Sequence, residues 1–215
     1  MKIEKSKALF FDSDGVLVDS VPIKTQGYIS LFKDYDDEIV EQVIRHHKIN
    51  GGISRVEKIR HAHEAIIGKP LSPQEIKAWA GQYAGLVARK VIEAPWIPGA
   101  KDFLDSCPDH IKVFVISGTP EPELKQIIEK RNMARYFDEI LGSPKPDHIR
   151  MLLEKYRLEP ERGVFIGDAL TDFLAAKETG LNFLGIQGEV DFPEGTRVLS
   201  DCRPLWVTLE QISFL

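Results

Sequence analysis

Residues 8–11 (ALFF) are apolar without alternation, and the run stops at the polar segment Asp12-Ser13-Asp14-Gly15. A short stretch with no polar face predicts a strand buried on both sides, as in a parallel sheet. The pattern returns three times. Residues 111–116 (IKVFVI) run into Ser117-Gly118-Thr119, and residues 163–166 (GVFI) run into Gly167-Asp168. Residues 182–186 (NFLGI) follow Gly180, which suits a helix C-cap. Helical spacing fills the intervals. Leu124, Ile127 and Ile128 share a face within 120–131, Ile149, Leu152 and Leu153 within 147–156, and Phe173, Leu174 and Ala176 within 169–179. Strand, polar loop and helix in repetition predict an α/β domain with a mostly parallel sheet. Ligands of such sheets bind beyond the carboxyl ends of the strands, where each of these polar clusters falls.

Residues 21–93 follow another pattern. They carry no strand signal and predict helices at 24–32, 37–47, 56–67 and 73–92, punctuated by Gly51-Gly52, Gly68 and Leu71-Ser72-Pro73. Ser72 with Glu75 forms a capping box, and Pro73 takes the first helical position. A helical domain inserted after the first strand is expected, with the chain returning to the main domain near 95–99.

Composition narrows the picture. The 215 residues leave room for one main domain and one sizeable insertion. Acidic residues outnumber basic ones, 33 to 28, for a formal charge of -5, which offers no footprint for nucleic acid or an anionic membrane. A few local cations would still suffice to bind a phosphate. Cys107 and Cys202 form neither a CxxC nor a zinc-ligand spacing and read as reduced thiols. Asp12 and Asp14 interrupt the first apolar run too early for a secretory signal, and no later segment approaches the ~18 apolar residues of a membrane span. A cytoplasmic protein is expected, as a monomer or homodimer.

Four clusters can carry chemistry. Asp12 and Asp14, two apart after a strand, can both face one pocket if Gly15 turns the chain. A divalent cation would relieve their repulsion. The plainer alternative is a polar turn capping a strand. Ser117 and the backbone of Gly118 suit a phosphate oxygen, although such tripeptides also serve as helix N-caps. Lys145 lies in the loop Gly142-Ser143-Pro144-Lys145-Pro146-Asp147, where a solvated charge is the plain reading. Asp168 and Asp172 lie one turn apart on one helix face, or else cap a helix and face solvent.

In the order DxD, S/T-G, K, GDxxxD, all at strand ends, these clusters resemble those of the haloacid dehalogenase superfamily. The likeness is to the subgroup of phosphoglycolate phosphatase and beta-phosphoglucomutase, and it runs from Ala8 to about Leu205. Pro98-Gly99-Ala100 also resembles that subgroup, while Pro144-Lys145-Pro146-Asp147 departs from its commoner Lys-Pro-x-Pro-Asp. The resemblance implies a Rossmann-like three-layer α/β/α parallel-sheet core, residues 1–20 and 94–215, with an inserted helical cap, residues 21–93. It implies a Mg2+-dependent phosphatase acting on a small phosphorylated metabolite. Asp12 would be the nucleophile, forming an aspartyl-phosphate, and Asp14 the general acid and base. Asp12, the backbone carbonyl of Asp14, and Asp168 would hold Mg2+, with Asp172 supporting the metal directly or through water. Ser117, Gly118 and Lys145 would bind the phosphoryl group.

The substrate is less legible. Asn50-Gly51-Gly52-Ile53-Ser54-Arg55 resembles a Gly-x-Ser-Arg cap loop from which Arg55 would reach the substrate's far end. Alternatively Ser54 caps a helix and Arg55 faces solvent, with Glu57 and Lys58 as surface charges. His46, His47, His61 and His63 read as surface or partly buried histidines. Trp79, Tyr83 and Leu86 read as cap core. A sugar-phosphate mutase would use the same residues, and a non-catalytic binding protein could keep the fold. A dehalogenase would leave Asp14, Asp168 and Asp172 without a task. A phosphonate-cleaving relative would need a cap lysine, for which Lys24, Lys48, Lys58, Lys69 and Lys77 qualify by type alone.

Overall fold

A computed structural model of the chain describes residues 7–212 and Phe214. Six strands form one parallel sheet: β1 (Lys7–Phe11), β2 (Ile111–Ile116), β3 (Glu139–Leu141), β4 (Gly163–Gly167), β5 (Asn182–Ile186) and β6 (Val198–Leu199). Their order is β3-β2-β1-β4-β5-β6, so the chain winds outward from β1 in one direction and then in the other. The crevice at the carboxyl end of β1 is therefore the topological switch point.

The strands are apolar on both faces because both faces are covered. Leu9 and Phe11 of β1 join Val113, Val115, Val164 and Ile166 in one buried cluster, with α5 (Ala100–Asp105), α6 (Glu121–Lys130) and α9 (Leu205–Gln211) packed over it. Ala8 and Phe10 point the other way, to a second cluster with Phe114, Phe165, α7 (Lys145–Tyr156) and α8 (Leu170–Thr179). The result is the three-layer α/β/α arrangement. Near the C-terminus, Leu205, Leu209 and Phe214 join the first cluster, and Ser213 and Leu215 lie outside the described residues.

Four helices, α1 (Val21–Leu31), α2 (Asp37–Ile49), α3 (Arg55–His61) and α4 (Pro73–Glu93), build a third cluster. Tyr28, Phe32, Val43, Ile59, Tyr83 and Val87 fill it, and Ile127 of α6 reaches into it from below. Ser72 and Glu75 cap α4 reciprocally, with Pro73 in its first turn. The helix expected over 56–67 is instead α3 followed by one π-helical turn, 62–66, closed by a bond from Ile67 N–H to the Ala62 carbonyl. The short strands β3 and β6 and the helices α5 and α9 were not legible in the pattern. No described helix is long and apolar enough to cross a membrane.

Candidate active site

β2 and β4 end level with each other and one residue beyond β1, since Phe11 pairs with Val115 and Ile166, their next-to-last residues. The next residues out of these strands, Asp12, Ser117 and Asp168, are thereby brought to one place. The Asp12 N–H donates to the Ile166 carbonyl at 3.0 Å, which holds the turn. Gly15, at φ +76°, swings the chain back, and a Cβ there would lie 2.2 Å from Asp168 Oδ2. Only glycine permits both the backbone angle and this approach.

Lys145 opens α7 rather than lying in a loop, because Pro146 is tolerated in a first helical turn. It is not solvated. At 4% exposure its Nζ donates to Asp12 Oδ1 at 2.9 Å and to Asp172 Oδ1 at 2.5 Å. Asp172 is fully buried, not solvent-facing, and its other oxygen accepts from the Ala169 N–H at 3.2 Å. Ala169, not Asp168, is the N-cap residue of α8. Carboxylate oxygens of Asp12, Asp168 and Asp172 lie within 4.8 Å of one another. Burial, opposed by Lys145 and reinforced by Asp172 and Asp14, raises Asp12 to about 7. Burial and the charges of Asp12 and Asp172 push Asp168 well above the carboxylate range. Three buried carboxylates therefore share one ammonium. Hard oxygen donors short of positive charge fit a Mg2+ ion.

The Asp14 side chain points away from this triad. It accepts from Ser20 Oγ at 2.5 Å, from Lys24 Nζ, and at 3.3 Å from the hydroxyls of Ser117 and Thr119. Burial would raise Asp14, but the Lys24 ammonium and the Ser20 hydroxyl outweigh it and hold Asp14 below the usual value. Ser117 does not cap α6, whose N-cap residue is Pro120; its oxygen accepts from Thr119 N–H at 3.2 Å.

Helices α1 to α3 close over this cluster and leave a cavity between them and the sheet. The loop before α3 touches the strand ends: a Cβ on Gly118 would lie 2.2 Å from the Gly52 carbonyl oxygen. Thr171 donates to the Gly51 carbonyl at 2.7 Å. Ser54 and Glu57 form a capping box, yet Arg55 does not face solvent. Its guanidinium pairs with Glu123 Oε1 at 2.7 Å and lies over the Tyr83 ring. Arg55 thus reaches the cavity wall with one hand already held by the core. Lys58, expected on the surface, is buried beside His47, because it follows Arg55 by three residues on one helix face. His63 is buried among Phe32, Tyr35 and Trp79, while His46 stacks on His61. Trp79 and Tyr83 belong to the helical cluster, but Leu86 is exposed.

The structure therefore gathers Asp12, Asp14, Ser117, Gly118, Lys145, Asp168 and Asp172 at one crevice, with Arg55 at its far wall. Sequence reading missed Lys24 and His47 as neighbours of the site, and it named Thr119 only as part of the Ser117-Gly118-Thr119 cluster. Lys24 had a usable signal. α1 starts directly after the DxD segment, and helical side chains lean toward the helix N-terminus, which aims Lys24 back at Asp14.

The pattern that defines the haloacid dehalogenase-like hydrolases matches residues 6–180. A phosphorylated carbohydrates phosphatase of Thermotoga maritima is 26% identical over 182 residues, 81% of this chain and 82% of the relative. A phosphoglycolate phosphatase of Pasteurella multocida is 23% identical over 211 residues, 94% of this chain and 93% of the relative. In fold, the crystal structure of CbbY from Rhodobacter sphaeroides in complex with phosphate superimposes with a TM-score of 0.73 at 22% identity, covering 93% of this chain and 96% of that one. A family pattern that spans most of the chain, matched by the parallel sheet and its crevice, places this protein in the haloacid dehalogenase-like hydrolase family.

Proposed function

We propose that the protein is a Mg2+-dependent phosphatase of small phosphate monoesters, working through an aspartyl-phosphate on Asp12. The observation that supports it best is the buried cluster of Asp12, Asp168 and Asp172 around the single ammonium of Lys145. Asp12, Asp168 and Asp172 would hold the ion, with Asp14 contributing its backbone carbonyl, because its side chain is engaged by Lys24 and Ser20. Bound Mg2+ supplies charge neutralisation for the phosphoryl oxygens.

An Asp12 oxygen attacks phosphorus, the P–O bond to the leaving group breaks, and the phosphoryl group rests on Asp12. Asp14 gives a proton to the departing oxygen. It later takes one from the water that attacks phosphorus and frees Asp12. The ionised form that Lys24 favours is the one this second step needs, whereas the first step needs the protonated form, which the Lys24 contact disfavours. Lys145, Ser117 and the Gly118 backbone hold the phosphoryl oxygens. Residues 21–93 act as a cap over a core of residues 1–20 and 94–215, a division supported by the separate hydrophobic cluster of α1–α4.

The test is phosphate release from a panel of phosphorylated sugars and small acids, with and without Mg2+, wild type beside Asp12→Asn. Release that needs Mg2+ and is abolished by the substitution is expected. Folded wild-type protein that releases phosphate from no compound would overturn the reading. A mutase would return the phosphoryl group from Asp12 to the sugar, so the same panel is scored for isomers.

A further inference from the structure

Four of the six histidines lie in the cap, and the mechanism uses none of them. Three hold joints between its helices. His47 of α2 lies against Tyr28 of α1, ring centroids 4.5 Å apart, and its Nδ1 accepts from Lys58 of α3 at 2.9 Å. In the neutral ring Nε2 then carries the proton and faces Thr25 Oγ1 of α1 at 3.2 Å. His46, also on α2, stacks on His61 of α3, the rings 3.8 Å apart and 11° from parallel. His63, in the π-helical turn, is 2% exposed and packs among Phe32, Tyr35 and Trp79. Its Nε2 is buried with no hydrogen-bond partner among the described residues.

Each joint accepts a neutral ring and rejects a charged one. In an imidazolium both nitrogens are donors, so protonated His47 would aim an N–H at the Lys58 amine. Charged His46 and His61 would repel face to face. Protonated His63 would bury a charge beside a nitrogen that nothing partners, and aromatic rings offset only part of that cost. The surrounding charges mostly add to the rejection. His47 faces Lys24 of α1, Lys48 of α2 and Lys58 of α3, and His46 faces His61 and Lys58. Of the three, His63 alone has an acid near it, Glu75 of α4, which is exposed and held by Ser72.

We propose that the cap is an acid-released cover: proton uptake by His46, His47 and His63 frees α2, α3 and the loop between them from α1 and α4, while the sheet keeps its fold. α1 and α4 keep a joint without histidine, Tyr28 against Tyr83 at 4.4 Å. The freed part carries Gly51 and Gly52, which lie over the strand ends, so mild acid opens the Asp12 crevice to solvent. The device stands apart from the phosphatase reading and holds whether or not any ester is cleaved.

The direction with pH follows from the packing. Burial, Lys58, Lys24 and Lys48 hold His47 down to about 2, and burial, His61 and Lys58 hold His46 down to about 4. Burial lowers His63 against the pull of Glu75. A ring held below the ordinary 6.5 contributes stability above that value and loses it as pH falls, because only the released state takes the proton. From pH 7.5 to 5.5 His47 alone favours release about tenfold, and His63 adds up to about tenfold more. His46, partly exposed, adds less.

The experiment is amide hydrogen exchange of the full chain with Mg2+ at pH 7.5 and 5.5, corrected for the intrinsic pH dependence of exchange. Protection over 37–61 is expected to fall about 10–100-fold at the lower pH, and that of β1, β2 and β4 by less than about threefold. His47→Asn keeps an acceptor near Lys58 without titrating, and His63→Phe keeps an aromatic ring. Each should shrink the ratio between the two pH values by up to about tenfold, whatever it does to protection at pH 7.5. Unchanged protection over 37–61, an equal fall in the strands, or variants that keep the full ratio would overturn the proposal. If the variants do not fold, the histidine resonances of wild type decide: neutral His47 and His63 rings in the closed cap at pH 5.5 support it, and a charged ring at either position overturns it.

Discussion

Lys145 carries a disproportionate share of the site. Among the described residues its ammonium is the only positive charge that both Asp12 and Asp172 contact, and all three side chains are buried. Removing one member of such a set leaves the others uncompensated, at a cost of about 3–5 kcal/mol. Lys145→Met should therefore lower stability by that order in urea denaturation with chelator present, and Mg2+ should restore more of it than it adds to wild type. Asp12, Asp14, Asp168, Ser117 and Lys145 were legible in the sequence because each follows or precedes a recognisable strand or helix. Lys58 and His47 were not. Whether a polar residue on an amphipathic helix faces solvent or a second domain depends on how that helix docks, and helical spacing alone carries no such information. Arg55 shows the same limit, since the two readings open to it were a ligand or solvent, and its partner Glu123 lies 68 residues away.

At the scale of elements, the neighbouring ends of β1, β2 and β4 do the positioning, and the following loops are cut close to fit. Gly118 leaves β2 directly beneath the loop before α3, with no room for a methyl group. Gly118→Ala should displace the Gly52 carbonyl rather than the strand. The expected result is kcat/KM lowered by about tenfold, a loss of about 1–2 kcal/mol consistent with strain from one added methyl. Melting should change by only a few degrees. Equal damage to both would place the strain in the sheet. The longer elements were readable because buried parallel strands and amphipathic helices leave strong periods. β3, with three residues, and β6, with two, are too short for any period, and α5 and α9 span only six and seven residues.

Across the whole molecule, the α1–α4 helices are tied to the sheet layers by apolar contact at Ile127 and by polar contacts. Arg131 of the core reaches over to the end of α4, where its Nη1 donates to the carbonyls of Val91, Ile92 and Ala94 at 3.2, 2.6 and 2.7 Å. The Val91 carbonyl also accepts from the Ala94 N–H, but those of Ile92 and Ala94 are orphan acceptors at the end of a helix, and leaving such a group unpaired costs about 1–3 kcal/mol. Arg131→Leu should speed amide hydrogen exchange in the last turn of α4 and in 94–97, with the central strands unchanged. Exchange that rises everywhere would mean that cap and core unfold as one unit. The inserted character of 21–93 was expected from its change of pattern, but the contacts that tie it down involve residues far apart in the chain and left no local trace.

The contact between Gly52 and Gly118 also bears on which molecules never become substrates. On the phosphatase reading, a substrate that enters past Gly52 and Gly118 would require the cap loop to lift and re-seat once per turnover. A phosphorylated side chain on a folded protein, or a phosphate within a nucleic acid strand, drags a body along that keeps the loop from re-seating. Discrimination against macromolecular phosphates then needs no recognition at all: bulk acts as the filter. A phosphoserine peptide should go uncleaved at concentrations where free phosphoserine, with the same ester bond, is turned over.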